Sequence, residues 1–258
     1  MTSTKFKFDG VESTTMHVDV IRMEGGLVPT PFLGSKSIVE DKIYGKDIPF
    51  FYGIEKQPLT FSVTFSMSDG YSFNSQTKFD LAKWLFKDTY KVFQTYDDLT
   101  KLYYAICTNA EELFTTIGDN GYFTATFRCN APWAYTQVYE ATHDLSLNET
   151  TTTIVLNNQC NINQYYFPSI EFTLVGAATG ISIVNSTDAN RTFAFTNLTL
   201  LETVSVDNTN KYILSDVPGV YRFGNFNKNW LRLVYGNNSL VVTGKCSLKT
   251  KMCFPIIK

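Results

Sequence analysis

Histidine is almost missing from this chain: of 258 residues only His17 and His143 carry an imidazole. A Ser/His/Asp or Cys/His hydrolase needs such a base beside its nucleophile. Neither histidine lies in a Gly-X-Ser-X-Gly or His-Glu-X-X-His context. His17 reads as part of a strand on its polar side, and His143 as part of a Tyr139–Asp144 linker. Charge is also scarce, at 18% with a net −2, and no Lys/Arg block marks a nucleic-acid surface. No apolar run approaches the roughly 18 residues a membrane span requires, and Met1–Phe8 lacks the apolar segment of a secretory signal. The five cysteines are scattered. The nearest pair, Cys246 and Cys253, fits no common zinc or redox spacing, so reduced and mostly buried thiols are expected. No calcium loop or phosphate-binding Gly-rich loop occurs, so neither cofactor nor metal is expected.

Adjacent acids (Glu40–Asp41, Asp97–Asp98, Glu111–Glu112) point to opposite faces of a strand and do not converge by themselves. Asp88, Asp97 and Asp98 read as a solvated face rather than a cation site. Five Asn-X-Ser/Thr triplets, at Asn148, Asn185, Asn190, Asn197 and Asn237, fit chance in an Asn- and Thr-rich segment better than glycosylation.

Aromatic residues are abundant, with 21 Phe and 15 Tyr, which favours strands. Phe6, Phe8 and Val11 alternate around an Asp9-Gly10 turn. Residues 24–31 form a breaker-rich loop. Ser37–Lys46 reads as an extended segment and a turn, and Asp47–Gly53 as an aromatic connection. Leu59–Met67 alternates over its whole length, apolar on one face and Thr/Ser on the other. Thr77–Val92 is the one convincing helix, with Thr77 as its cap. Its apolar residues Phe79, Leu81, Ala82, Trp84, Leu85 and Phe86 exceed one stripe. Part should cover a sheet; the remainder meets either the same subunit or a neighbour. Residues 101–107 and 121–129 return to strand character.

From about Leu145 the texture changes. A polar, Thr-rich stretch precedes short strands at 169–175, 180–184, 192–198, 202–207, 211–214, 230–235 and 239–243, a spacing that suggests an all-β sandwich. The expected domains are 1–138 and 139–258. Such a sandwich can stack a sugar on exposed rings, and Tyr165, Tyr166, Tyr221 and Trp230 are conceivable platforms. Core packing is the competing account of the same rings.

The order of these pieces resembles the distal tail (Dit-like) protein family of siphophage tail tips. The pieces are the N-terminal strand pair, the Ile38–Gly45 arm with Lys46-Asp47-Ile48-Pro49, the Pro58–Phe65 strand, the helical Trp84-Leu85 pair and the Gly121–Tyr135 strand and corner. Pro168–Phe172, Glu202–Asp207 and Leu233–Leu240 follow in the order of that family's galectin-like C-terminal sandwich. Asn208–Tyr212 matches no family turn, which leaves the register after Asp207 undetermined. The resemblance implies a mainly β chain: an N-terminal β-barrel or sandwich-like ring domain with one helix, then the galectin-like sandwich. It implies a structural, non-enzymatic protein of the virion tail, assembled in the host cytoplasm. That protein would be a homo-oligomeric ring, hexameric in the family, joining the tail-tube protein to tail-tip (tail-associated) and receptor-binding proteins of the baseplate. No nucleic-acid recognition or membrane insertion belongs to the role. The alternative is a carbohydrate-binding module for host attachment using Tyr165, Tyr221 or Trp230. Head-to-tail ring contacts could come from strand addition by the arm, through Ile38, Val39, Ile43, Tyr44, Ile48, Phe50 and Phe51.

Overall fold

A computed structural model describes residues 5–21, 35–110, 113–116, 119–176 and 179–257. The breaker-rich loop and the Glu111–Glu112 pair lie outside them. The chain divides into two compact units, one running to Thr136 and the other spanning Gln137–Ile256.

The first unit holds β1 (Phe6–Phe8), β2 (Val11–Glu12), β3 (Val18–Val20), β4 (Lys36–Asp41), β5 (Phe50–Lys56), β6 (Thr60–Met67), α1 (Ser75–Leu85), β7 (Lys91–Thr95), β8 (Asp98–Ala110), β9 (Phe114–Thr115), β10 (Gly121–Cys129) and β11 (Ala134–Thr136). Seven strands run in the order β2-β1-β7-β8-β10-β6-β3. Asp9 and Gly10 turn β1 into β2 with φ of 51° and 78°, the left-handed pair that a tight hairpin needs. Along β6 the alternation holds. Val63 and Phe65 are buried, while Ser62 and Thr64 meet Thr126 and Thr124 of β10 through hydroxyl bonds of 2.8 Å.

This sheet curls. β1 and β6 stand four places apart along it, about 19 Å if it were flat. Yet the rings of Phe6 and Phe65 are 5.1 Å apart. The curl gathers Phe6, Phe8, Phe93 and Phe127 into one aromatic core, and α1 covers it. Trp84 stacks on Phe6 at 5.4 Å, and its indole N–H donates to the Phe8 carbonyl at 3.0 Å.

The helix is shorter than expected. Its cap is Asn74, whose Oδ1 accepts from the Thr77 N–H, and it stops at Leu85 with Phe86 already extended. Lys91 and Val92, read as the helix end, instead open β7, which lies between β1 and β8. Strand pairing there overrides the local helical pattern. His17 is likewise not in a strand: it occupies a turn with φ 54°, its ring stacked on Tyr71.

The second unit holds β12 (Tyr139–Leu145), β13 (Thr151–Asn158), β14 (Tyr165–Tyr166), β15 (Ser169–Leu174), β16 (Ile181–Asn185), β17 (Arg191–Phe195), β18 (Thr203–Asp207), β19 (Tyr212–Ser215), β20 (Leu233–Val234), β21 (Gly236–Thr243) and β22 (Cys246–Met252). They form a five-stranded sheet, β12-β22-β15-β18-β19, and a four-stranded sheet, β13-β21-β16-β17, with a small β14-β20 pair. Phe172 of the first sheet packs on Phe195 of the second at 5.6 Å, within a core that also takes Phe193, Phe226 and Leu240. This is the expected sandwich. Four strands were not foreseen, the short β14 among them. β12 is the supposed linker, so His143 lies in a strand opposite Leu248. β13 is the supposed polar stretch, and β22 was not recognised. The unplaced Asn208–Tyr212 segment is a hairpin loop from β18 that ends in the first residue of β19, with Asp207 opposite Tyr212. Asp207 Oδ1 accepts from the Thr209 and Asn210 N–H groups and so shapes the turn.

Two of the Asn-X-Ser/Thr asparagines are structural. Asn148 donates to the Val242 and Gly244 carbonyls, and Asn185 donates to Asn238 and to the Arg232 carbonyl. Both are buried.

Candidate functional site

The arm residues converge on one element. Among the described residues β4 and β5 pair only with each other, as a two-stranded sheet. Ile43–Lys46 turns between them, with Gly45 at φ 84° and the Lys46 N–H donating to the Ile43 carbonyl. Ile38 opposes Ile54, Val39 opposes Gly53, and a bulge then sets Glu40 against Phe51 and Asp41 against Phe50. All seven named residues are exposed, Ile48 by 82% and Phe51 by 62%. Tyr52 and Ile54 belong to the same surface and were missed. The alternation Phe50, Tyr52, Ile54 was the signal, hidden by reading the segment as a connection. The Lys46 ammonium lies 4.7 Å from the Phe50 ring centre.

Such a hairpin is out of balance by itself. Two strands alone are marginal in water, and a projecting apolar edge pairs with other chains unless it is blunted or covered. Among the described residues it presents the backbone groups of two unpaired edges, and large apolar side chains between charges.

The proposed sugar platforms do not assemble. Trp230 is buried against Phe226 at 4.8 Å and belongs to the core. Its flanking residues alternated as a strand, but a Phe-rich core lies beneath them. Tyr165 is half-buried, with the Arg232 guanidinium 3.8 Å from its ring centre, so one face is already taken. Arg232 is itself held by Asp188 at 2.7 Å. Tyr166 packs on Phe254 and accepts the Cys253 N–H. Only Tyr221, 92% exposed, stands free as a platform.

Asp98, Glu140 and Glu202 are engaged in structural roles. Asp98 binds Lys101 at 2.8 Å and accepts from Thr100; these partners hold its carboxyl below the ordinary range. Glu140 sits between Lys249 and Lys251, both at 3.2 Å, which likewise lower it. Glu202 is buried, which opposes its charge, but Arg222, Ser215 and the Thr199 N–H outweigh that and bring its pKa to about 2. Burial pushes the Cys129 thiol up to about 12 and the Cys246 thiol to about 11. At those values they are packing groups rather than nucleophiles. Cys246 opens β22 and Cys253 follows its end. A strand of that length holds them about 20 Å apart, far beyond disulfide reach.

The fold defines a β-built protein of two core-bearing units, the first carrying an exposed two-stranded sheet. Known proteins share this organisation. Residues 1–131 match the family model described as phage tail protein N-terminal domain, and residues 133–252 match the phage tail C-terminal domain. The chain belongs to this phage tail protein family. It is 24% identical over 250 residues to the SPbeta prophage-derived uncharacterized protein YomH of Bacillus subtilis (strain 168), covering 96% of each chain. The fold matches that of the SPP1 Dit protein (gp 19.1), a hub adsorption-apparatus protein of phages infecting Gram-positive bacteria. The TM-score is 0.67 at 16% identity, over 97% of this chain and 98% of that one. A chain of the phage P2 baseplate is similar at TM-score 0.47 and 10% identity, over 96% and 97%.

Proposed function

We propose that this tail protein is a non-catalytic ring subunit of the tail tip. Six copies close head-to-tail at the end of the tail tube. The ring joins the tube to tail-associated and receptor-binding proteins of the baseplate, the place suggested by the hub role of the SPP1 Dit protein. The observation that carries the reading is the β4–β5 hairpin: a two-stranded sheet that no other described strand pairs with, bearing exposed Ile38, Ile48, Phe50 and Phe51. A closed ring needs heterologous contacts, in which one patch meets a different patch on the next copy. A projecting hairpin supplies one half of such a contact, by edge pairing and by apolar insertion.

The test is to replace Ile38–Gly53 with a short Gly/Ser connection and compare both proteins by light scattering and negative-stain microscopy. The parent should form rings and the deletion variant monomers, with the far-UV spectrum otherwise kept. Rings from the deletion variant would remove the hairpin from the contact.

A further inference from the structure

We infer that the outward stripe of α1, with the groove beside it, receives the β4–β5 hairpin of the next copy; this rests on the ring reading above. α1 makes its core contact through Leu81, Trp84 and Leu85. A helix needs one apolar stripe for one core, yet α1 has a second. Phe79 is 63% exposed and Phe86 56%, and Ala82 lies between them. Spacings of three and four residues put all three on one side. Alongside runs a groove of about 140 Å³ lined by Phe73, Leu85, Phe86, Ala110, Leu113 and Phe123. It is nearly all apolar and has room for one large side chain.

Head-to-tail closure needs two unlike surfaces on each chain, and the first unit carries both: a hairpin that projects and a helix-side groove that accepts. Their charges are complementary. On the hairpin, Glu40 and Asp41 stand opposite Phe51 and Phe50. On the helix, Lys78 and Lys83 flank Phe79 and Ala82. Among the described residues Glu40, Asp41 and Lys83 form no ion pair, and Lys78 reaches only Asp119, at 3.9 Å. In the assembled contact Phe51 enters the groove beside Phe86, and Glu40, which shares the Phe51 face of the hairpin, meets Lys83.

The first test joins two copies. A Glu40→Cys chain and a Lys83→Cys chain, differently tagged, are mixed and treated with a short bis-maleimide. The expected product carries both tags, which excludes a hairpin folded back on its own chain. Cys107, Cys129, Cys160 and Cys246 are buried, and the parent chain serves as the control for background coupling. Absence of the two-tag product overturns the proposal. The second test is the pair Phe79→Asp and Phe86→Asp, at exposed positions where folding is spared. The double variant should lose rings while its far-UV spectrum and melting stay as in the parent. Should hairpin deletion abolish rings and this double variant keep them, the landing site is wrong and the ring reading stands. Should hairpin deletion leave rings intact, both fall.

Discussion

Replacing Glu202 with Gln isolates one interaction that locks two loops of the C-terminal sandwich. The Glu202 carboxylate takes a two-pronged contact from Arg222, Nε to Oε1 at 2.7 Å and Nη2 to Oε2 at 2.6 Å. The remaining guanidinium hydrogens reach the Asn197 carbonyl and Thr199 Oγ1. The glutamate side chain is fully covered and the arginine 11% exposed. Glutamine keeps the shape but leaves Arg222 as a covered cation without its anion. The carboxyl pKa falls from 4.5 to about 2 on folding, and at 1.36 kcal/mol per unit this is about 3 kcal/mol. Breaking a buried pair costs a similar amount. For a unit of this size that lowers the melting temperature by roughly 12 °C. The sign with pH follows from proton uptake. Between about 4.5 and about 2 the unfolded chain holds the proton and the folded chain does not, so stability rises with pH. The contribution is complete above that window and gone below it. Scanning calorimetry of parent and variant should therefore show a gap that is full near neutrality and closes toward about pH 2. A gap under about 1 kcal/mol at neutrality, or one that ignores pH, would refute the assignment.

The same calculus applies elsewhere. Trp84→Phe keeps the ring stack on Phe6 but strips the buried Phe8 carbonyl of its donor; urea unfolding should show a loss of about 1–3 kcal/mol. Gly121→Ala places a methyl carbon 1.8 Å from the Phe114 carbonyl oxygen. The β9–β10 pairing must open, costing about 1–3 kcal/mol, and amide exchange should accelerate at Tyr122. Asn238→Ala removes an amide that donates to the Val234 and Gly236 carbonyls and accepts from Val234 N–H and Asn185. Buried groups left unpaired should cost about 3 kcal/mol by chemical denaturation.

What could be seen in the sequence was the pattern that local chemistry writes. β6 was legible because every second residue is apolar, and the first hairpin because Asp9-Gly10 suits only one kind of turn. β22 was not, because its inward positions include Cys246 and Thr250 alongside Leu248 and Met252, while Lys249 and Lys251 dominate the outward face. β13 buries Asn158, whose amide reaches the Leu233 carbonyl 75 positions away. No local rule predicts that an asparagine belongs inside when its partner is so distant.

The arm shows the same limit in reverse. Ile38, Phe50 and Phe51 have the composition of a core, and Trp230, offered as a surface platform, has it too. Sequence ranks both alike as apolar, since burial is decided by what long-range pairing brings against a residue. Phe226 comes against Trp230, whereas among the described residues no third strand comes against β4 or β5. An apolar hairpin without a third strand, on a unit whose helix keeps a bare Phe79–Phe86 stripe, leaves two surfaces unsatisfied in the free chain. The association of copies proposed above would remove both from water together. If that contact forms the ring, added salt should weaken it only slightly, because the Glu40 charge would steer the approach while the buried rings hold it.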